Sequence, residues 1–127
     1  MGARINYVFK DKETAIGEPS SSVVLYSHWG ETDWMSDMAG ALAHAKPRWG
    51  DNAYCTRMII SYLIADSIMD ERGFGIYSIT GDNYEFLDTT VVIDLVKQTI
   101  HIPHEVKWES FIDAINSLDN GMENLIQ

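Results

Sequence analysis

The sequence predicts an α+β fold, in which an antiparallel sheet of about five strands carries three helices on one face in the order ββααβββα. Two observations lead to this prediction. Short runs of β-branched and aromatic residues occur near both ends of the chain, and two segments with helical periodicity lie between them. Clusters of Gly, Pro, Asn and Asp separate these segments. A length of 127 residues fits a single domain, 1–127.

Two strands open the chain. The segment 4–9, RINYVF, sets apolar side chains against Asn6 at alternating positions, and the segment 22–29, SVVLYSHW, is β-branched and aromatic. Most of the residues between them are charged or are Gly, Pro and Ser, which is typical of an exposed connection. We therefore expect the first two strands to pair antiparallel.

Two helices follow in the middle of the chain. The first runs from about 32 to 46, and a stripe of apolar side chains at three- and four-residue spacing defines its buried face: Trp34, Met38, Leu42 and Ala45. The second covers about 53–71, with Asp51 or Asn52 as its N-cap and Gly73 as its stop. Because the second helix is apolar almost all round, we expect it to be central.

The remaining elements are a sheet region and a last helix. Residues 73–80 predict a strand, residues 81–88 a loop, and residues 90–102 two strands about a tight turn. Residues 104–118 have an apolar helical face, and the tail 119–127 is expected to be loose.

Composition narrows the class of function. The formal net charge of −10 opposes direct binding of nucleic acid or of an anionic membrane, and no apolar run approaches the ~20 residues of a membrane helix. The single cysteine, Cys55, cannot form an intramolecular disulfide, which suits a reducing cytosol. Phosphate-binding, dinucleotide and serine-hydrolase motifs are missing, and the histidines have no supporting zinc motif. We expect no catalytic residue, no metal and no cofactor.

The first candidate site is the segment 25–34, LYSHWGETDW, where a strand turns into a helix. Backbone N–H groups point outward at such a turn, and the helix dipole favours an anion. His28 and Trp29 could stack on a planar ring, and Glu31 could accept a hydrogen bond from a base or a ribose. The alternative is a plain joint in which Trp29 or Trp34 fills the core, Glu31 and Asp33 complement the helix dipole, and His28 caps the helix.

The second candidate site is the segment 46–51, KPRWGD, between the two helices. Arg48 beside Trp49 suits a planar anion, which would be held by stacking and charge. The alternative is a tight turn with a half-buried tryptophan. A helix of about 15 residues keeps the two candidate sites ~22 Å apart. A helical hairpin would instead bring Arg72 toward His28, and an oligomer could supply Arg48 from a neighbouring subunit.

Three strings, VVLYSHWGETDW, AKPRWGD and ISYLIADSIMDERGFGIY, resemble small uncharacterised proteins encoded in bacteriophage and prophage genomes. The resemblance implies an accessory protein in the cytoplasm of an infected bacterial host. We expect it to counter a host antiviral defence by binding and sequestering a small anionic, nucleotide-like signal without catalysis. One alternative is an acidic, nucleic-acid-mimicking inhibitor of a host defence protein. Another is a small metal-dependent hydrolase built on His28, Glu31 and Asp33.

The aromatic content also predicts self-association. The chain has 4 Trp, 6 Tyr and 4 Phe, and some of the tryptophans fall at exposed turn positions. Aromatic surface of this kind is typical of interfaces, so we expect a homo-oligomer.

Overall fold

The protein is described by a computed structural model, which covers residues 4–11, 21–28, 34–80, 89–101 and 104–126. Within these ranges the element order is ββααβββα with one further strand before the last helix, and the α+β class is confirmed. The strands are β1 Ile5–Lys10, β2 Ser21–Ser27, β3 Phe74–Thr80, β4 Thr90–Asp94, β5 Thr99–His101 and β6 Glu105–Lys107. The helices are α1 Trp34–Ala45, α2 Asn52–Ile64 and α3 Trp108–Ile126. The loop predicted at 81–88 lies outside the described residues.

The sheet is mixed and has six strands, so the prediction of an antiparallel sheet of about five strands was wrong in these two respects. The strand order is β3-β2-β1-β4-β5-β6. The predicted β1–β2 pairing is antiparallel, but β1 and β4 run parallel, from Asn6 opposite Thr90 to Lys10 opposite Asp94. Parallel neighbours need a long crossover, and the intervening chain with both helices is long enough to supply one.

The additional strand, β6, comes from the beginning of the segment that was predicted as the third helix. Val106 pairs with Ile100 of β5, and Lys97 Nζ lies 3.4 Å from a Glu105 carboxylate oxygen across the turn. Three residues therefore add to the sheet before the chain becomes helical at Trp108. The helix then continues to Ile126, past the residue at which the sequence pattern ended it.

The core lies between one face of the sheet and helices α1 and α3. The face of β1 that carries Tyr7 meets the stripe predicted for α1, in which Met38 and Leu42 are fully buried. Trp108 and Phe111 of α3 complete the same cluster. The buried sheet residues of this cluster are Ile5, Tyr7, Phe9, Leu25, Val91, Ile93 and Ile100.

Helix α2 is not central, contrary to the expectation from its composition. Only Cys55 and Ile59 are buried, whereas Tyr54 and Tyr62 are exposed. The helix packs chiefly against α1, and Gly40 allows a close approach there, because a Cβ at this position would collide with the phenol of Tyr62. Helix α2 therefore exposes considerable apolar surface to water.

The two ends of α2 differ in how well the sequence predicted them. Asp51 is the N-cap, as predicted, and its side chain accepts a hydrogen bond of 3.2 Å from the Tyr54 N–H. The helix ends at Ile64, earlier than predicted, and a 3-10 turn at Ala65–Ser67 follows.

Within the described residues, no helix has the length and apolar content that a membrane crossing requires.

Candidate functional site

The first candidate site lies at the corner of the sheet where β2 ends and β3 begins. The backbone N–H of His28 donates to the Gly73 carbonyl over 2.8 Å. The Tyr26 hydroxyl lies 3.1 Å from Nδ1 of the half-buried His28 ring. Gly73 has a φ of 103°, in the left-handed region that favours glycine. This conformation allows the chain to turn into β3 directly beside the histidine.

Arg72 immediately precedes this turn, so it lies at the same corner as His28. Its side chain is 87% exposed, and its Nε is 3.9 Å from the carboxylate of the equally exposed Glu71. An exposed ion pair at this distance holds a guanidinium only weakly. The corner therefore combines an imidazole, a phenol and an available cation. Two further predicted residues, Trp29 and Glu31, lie outside the described residues.

In the second candidate site, Trp49 is anchored to the protein interior. Its indole N–H donates to the Leu42 carbonyl over 2.9 Å, and its ring meets the edge of Trp108 at a centroid distance of 5.2 Å. The amide of Gln98 reaches the Trp49 carbonyl over 3.4 Å. These contacts favour the alternative reading of this turn, in which the tryptophan is half-buried and structural.

The cations around Trp49 also have partners within the protein. The guanidinium carbon of Arg48 lies 4.8 Å from the centroid of the Tyr54 ring. Lys46 Nζ is 2.7 Å from a Glu109 carboxylate oxygen and 5.6 Å from the Trp49 ring. A ligand at this turn would have to displace or share these contacts.

The two candidate sites lie at opposite ends of the sheet. Asn52, just after the second site, donates to the carbonyl of Asp11, which follows the end of β1. His28 follows the end of β2, and β2 runs antiparallel to β1. The arrangement agrees with the separation expected from the length of α1, and it brings Arg72, not Arg48, beside His28 within one chain.

A third feature, which the sequence did not suggest, is a polar pocket of about 130 Å³ on the sheet face opposite the helices. Its lining combines both signs of charge with a hydroxyl: Lys10, Val92, Asp94, Thr99, His101 and Glu105. The Thr99 Oγ1 is buried and has no hydrogen-bond partner among the described residues. The alternating polar residues of β4 and β5 are the only sequence signal for this pocket, and such alternation is also the pattern of an ordinary solvent-facing surface.

Replacing Thr99 by valine is expected to raise the melting temperature by roughly 3–5 °C. The change keeps the shape of the side chain and removes a buried hydroxyl whose desolvation is not repaid, a gain of about 1 kcal/mol. Thermal unfolding followed by circular dichroism measures it. Thr99→Ser is the matched control, because it keeps the hydroxyl and loses only the methyl group, and it should lower the melting temperature. A lower melting temperature for Thr99→Val would mean that the hydroxyl has a bound partner in solution.

Among the residues that the structure describes, two groups have strongly shifted pKa values, and both are buried in the core. Burial raises the pKa of the Cys55 thiol to about 11, and the nearby Asp51 carboxylate adds to this effect. Burial also raises the pKa of Tyr7, with a further contribution from Asp37. A thiol with a raised pKa is a poor nucleophile.

In the described part of the chain, no group of three or more His, Cys, Asp or Glu residues is arranged to hold a metal ion.

Comparisons of the chain with protein-family models, with curated proteins and with solved structures find no match in any of the three.

Proposed function

We propose that the protein is a phage-encoded accessory protein that binds and sequesters a small nucleotide-like defence signal without catalysis. The observation that carries the proposal is the hydrogen bond from the His28 N–H to the Gly73 carbonyl, which joins the histidine to the residue after Arg72. The phage origin and the antiviral context rest on the resemblance described above.

The chemistry of the corner suits a ligand with a ring and a negative charge. The imidazole of His28 and the phenol of Tyr26 are two half-buried groups that can donate or accept hydrogen bonds or stack on a planar ring. The guanidinium of Arg72 is exposed and can bind a phosphate in a bidentate manner. We expect the base or sugar to bind near His28 and the phosphate near Arg72, and Trp29 and Glu31 stay predicted ligand residues from the sequence alone.

Native mass spectrometry of protein purified from infected cells tests the proposal. The wild-type protein should carry a retained small molecule with the mass of a nucleotide derivative. His28→Ala and Arg72→Ala should each reduce the retained fraction at least tenfold, which corresponds to about 1.4 kcal/mol of binding free energy.

Two matched substitutions control for the loss of a histidine or an arginine in general. His44→Ala removes an exposed histidine of α1, and Arg57→Ala removes an exposed arginine of α2 whose partner is Ser61. Both variants should retain the ligand. If the wild-type protein carries no small molecule, or if all four variants lose it equally, the corner is not a ligand site.

A second candidate function is an acidic inhibitor of a basic host protein. Two observations favour it: the net charge of −10, and the strong exposure of Ile68 and Met69, at 64% and 90%, after α2. Interfaces are enriched in methionine, and acidic surface attracts a basic partner. In the same experiment, a stable complex with a basic host protein and no retained small molecule would support this function over the first.

A further inference from the structure

The two edge strands of the sheet differ in how well they are protected from pairing with another chain. Strand β6 is three residues long, and two of them, Glu105 and Lys107, are charged. Strand β3 is seven residues long and has the sequence FGIYSIT, without a charge or a proline. Charges, prolines and short lengths are the usual means by which proteins prevent edge-to-edge association. Edge β6 is protected in this way and edge β3 is not.

The hydrogen-bond pattern determines which backbone groups of β3 point outward. His28 donates to Gly73, and the β2–β3 register pairs Tyr26 with Gly75 and Val24 with Tyr77. In an antiparallel ladder, hydrogen-bonded and non-hydrogen-bonded pairs alternate. Gly75 and Tyr77 therefore direct their backbone N–H and C=O groups toward β2. Ile76 and Ser78 direct theirs away from it, toward the side of β3 on which no other described strand lies.

This edge exposes a large hydrophobic side chain on each face of the sheet. Ile76 is 61% exposed on the face that carries the helices, with Val23 of β2, 39% exposed, as its diagonal neighbour. Tyr77 is 38% exposed on the opposite face, where its hydroxyl donates to Asn6 over 2.7 Å. Apolar side chains of this size on an unprotected edge are typical of a covered surface.

We infer that β3 pairs antiparallel with β3 of a second copy of this chain, about a two-fold axis at Tyr77, so that one sheet continues through both subunits. The register of the edge selects this occupant, because the outward-pointing groups of β3 match those of an identical strand. The net charge of −10 opposes the association of two copies, but these seven residues carry no charge and add no local repulsion. An antiparallel edge is also self-complementary under two-fold symmetry.

The register about Tyr77 matches the groups that point outward. Ile76 lies opposite Ser78 of the partner subunit, and the two residues exchange both of their backbone hydrogen bonds. The two Tyr77 side chains lie opposite one another as a non-hydrogen-bonded pair, in which side chains come closest. The two Ile76 side chains become diagonal neighbours on the helix side and cover one another. The inference does not depend on the proposed ligand, because neither the His28 nor the Arg72 side chain contributes to the pairing.

Sedimentation equilibrium of a matched pair of variants tests the pairing. Ser78→Pro removes an N–H that points outward and leaves the β2–β3 ladder intact, and proline is tolerated on an edge strand. Ser78→Ala changes the same side chain and keeps the N–H. We expect the wild type and Ser78→Ala to be dimers at micromolar concentration, and Ser78→Pro to dissociate at least tenfold more readily, toward the 14.4 kDa monomer.

If Ser78→Pro does not fold, a second pair of variants tests whether β3 forms the dimer interface. Ile76→Lys places two like charges next to the two-fold axis and should also give a monomer. Val96→Lys adds the same charge at an exposed apolar side chain in the turn after β4, and it should remain a dimer. A wild type that is monomeric at 100 μM would overturn the inference, as would a dimer that persists in folded Ile76→Lys or one that Val96→Lys disrupts equally.

Amide hydrogen exchange locates the interface at single residues. In the wild type, the amides of Ile76 and Ser78 should exchange slowly at high protein concentration and at least tenfold faster after dilution below the dimer dissociation constant. The Tyr77 amide, which bonds to β2, should remain slow at both concentrations. Fast exchange at Ile76 and Ser78 in a dimeric sample would show that the subunits associate through another surface.

Discussion

Replacing Trp108 by alanine is expected to lower the free energy of unfolding by about 3–5 kcal/mol, the range for truncation of a buried tryptophan. Trp108 is the largest fully buried side chain of the described residues. Its indole N–H donates to the Thr99 carbonyl over 2.9 Å, and its ring contacts Trp49. The substitution therefore leaves a large cavity where α3 meets β5 and removes one hydrogen bond to the Thr99 carbonyl.

Urea denaturation followed by circular dichroism measures the loss. Trp108→Phe is the control: it keeps an aromatic ring in the cavity and loses mainly the hydrogen bond, so it should cost about 1–3 kcal/mol. A loss below about 1 kcal/mol for Trp108→Ala would mean that α3 is not firmly attached to the sheet.

Replacing Trp49 by alanine has the second largest expected effect, a loss of about 2–3 kcal/mol. Trp49 is only half-buried, but the change removes a hydrogen bond to the Leu42 carbonyl and the edge contact with Trp108. Arg48→Ala is the matched control from the same turn, because Arg48 is exposed and an exposed truncation costs up to about 0.5 kcal/mol.

This pair of substitutions distinguishes between two interpretations of the turn, in which Trp49 is either a structural anchor or a surface for a ligand. If Trp49 is an anchor, urea denaturation should show a large loss for Trp49→Ala and almost none for Arg48→Ala. The double substitution with Trp108→Ala should also cost less than the sum of the two single changes, by about 0.5–1.5 kcal/mol for the aromatic pair. Equal stability of Trp49→Ala and the wild type would favour a surface platform for a ligand.

Local patterns were sufficient to predict most elements of the fold. Alternation identified β1, and the Asp51 cap identified the start of α2, because these signals depend on neighbouring residues only. The parallel β1–β4 pairing depends on which distant strands become neighbours, and alternation carries no information about direction. Strand β6 was missed because three residues that pair with β5 can also be read as the first turn of a helix.

The candidate sites, like the fold, could be predicted from the sequence only in part. A helical hairpin, which short connections favour, was the basis for predicting Arg72 near His28, and the hydrogen bond between His28 and Gly73 places Arg72 at this corner. The inward attachment of Trp49 could not be predicted, because its hydrogen-bond acceptor, Leu42, lies seven residues away and its ring partner, Trp108, lies in the last helix. The pocket beside Thr99 required knowledge that Lys10 and Asp94 become neighbours.

The parallel pairing of β1 with β4 also has a consequence for synthesis on the ribosome. β1 is in the middle of the sheet, yet its partner on one side begins only at Thr90. At about 5–20 residues per second, roughly 4–16 s pass between the synthesis of β1 and that of β4. During this interval β1 and β2 can form a hairpin, but the other side of β1 has no strand to pair with. The most buried of the described strands therefore keeps one side without a partner until the last third of the chain emerges.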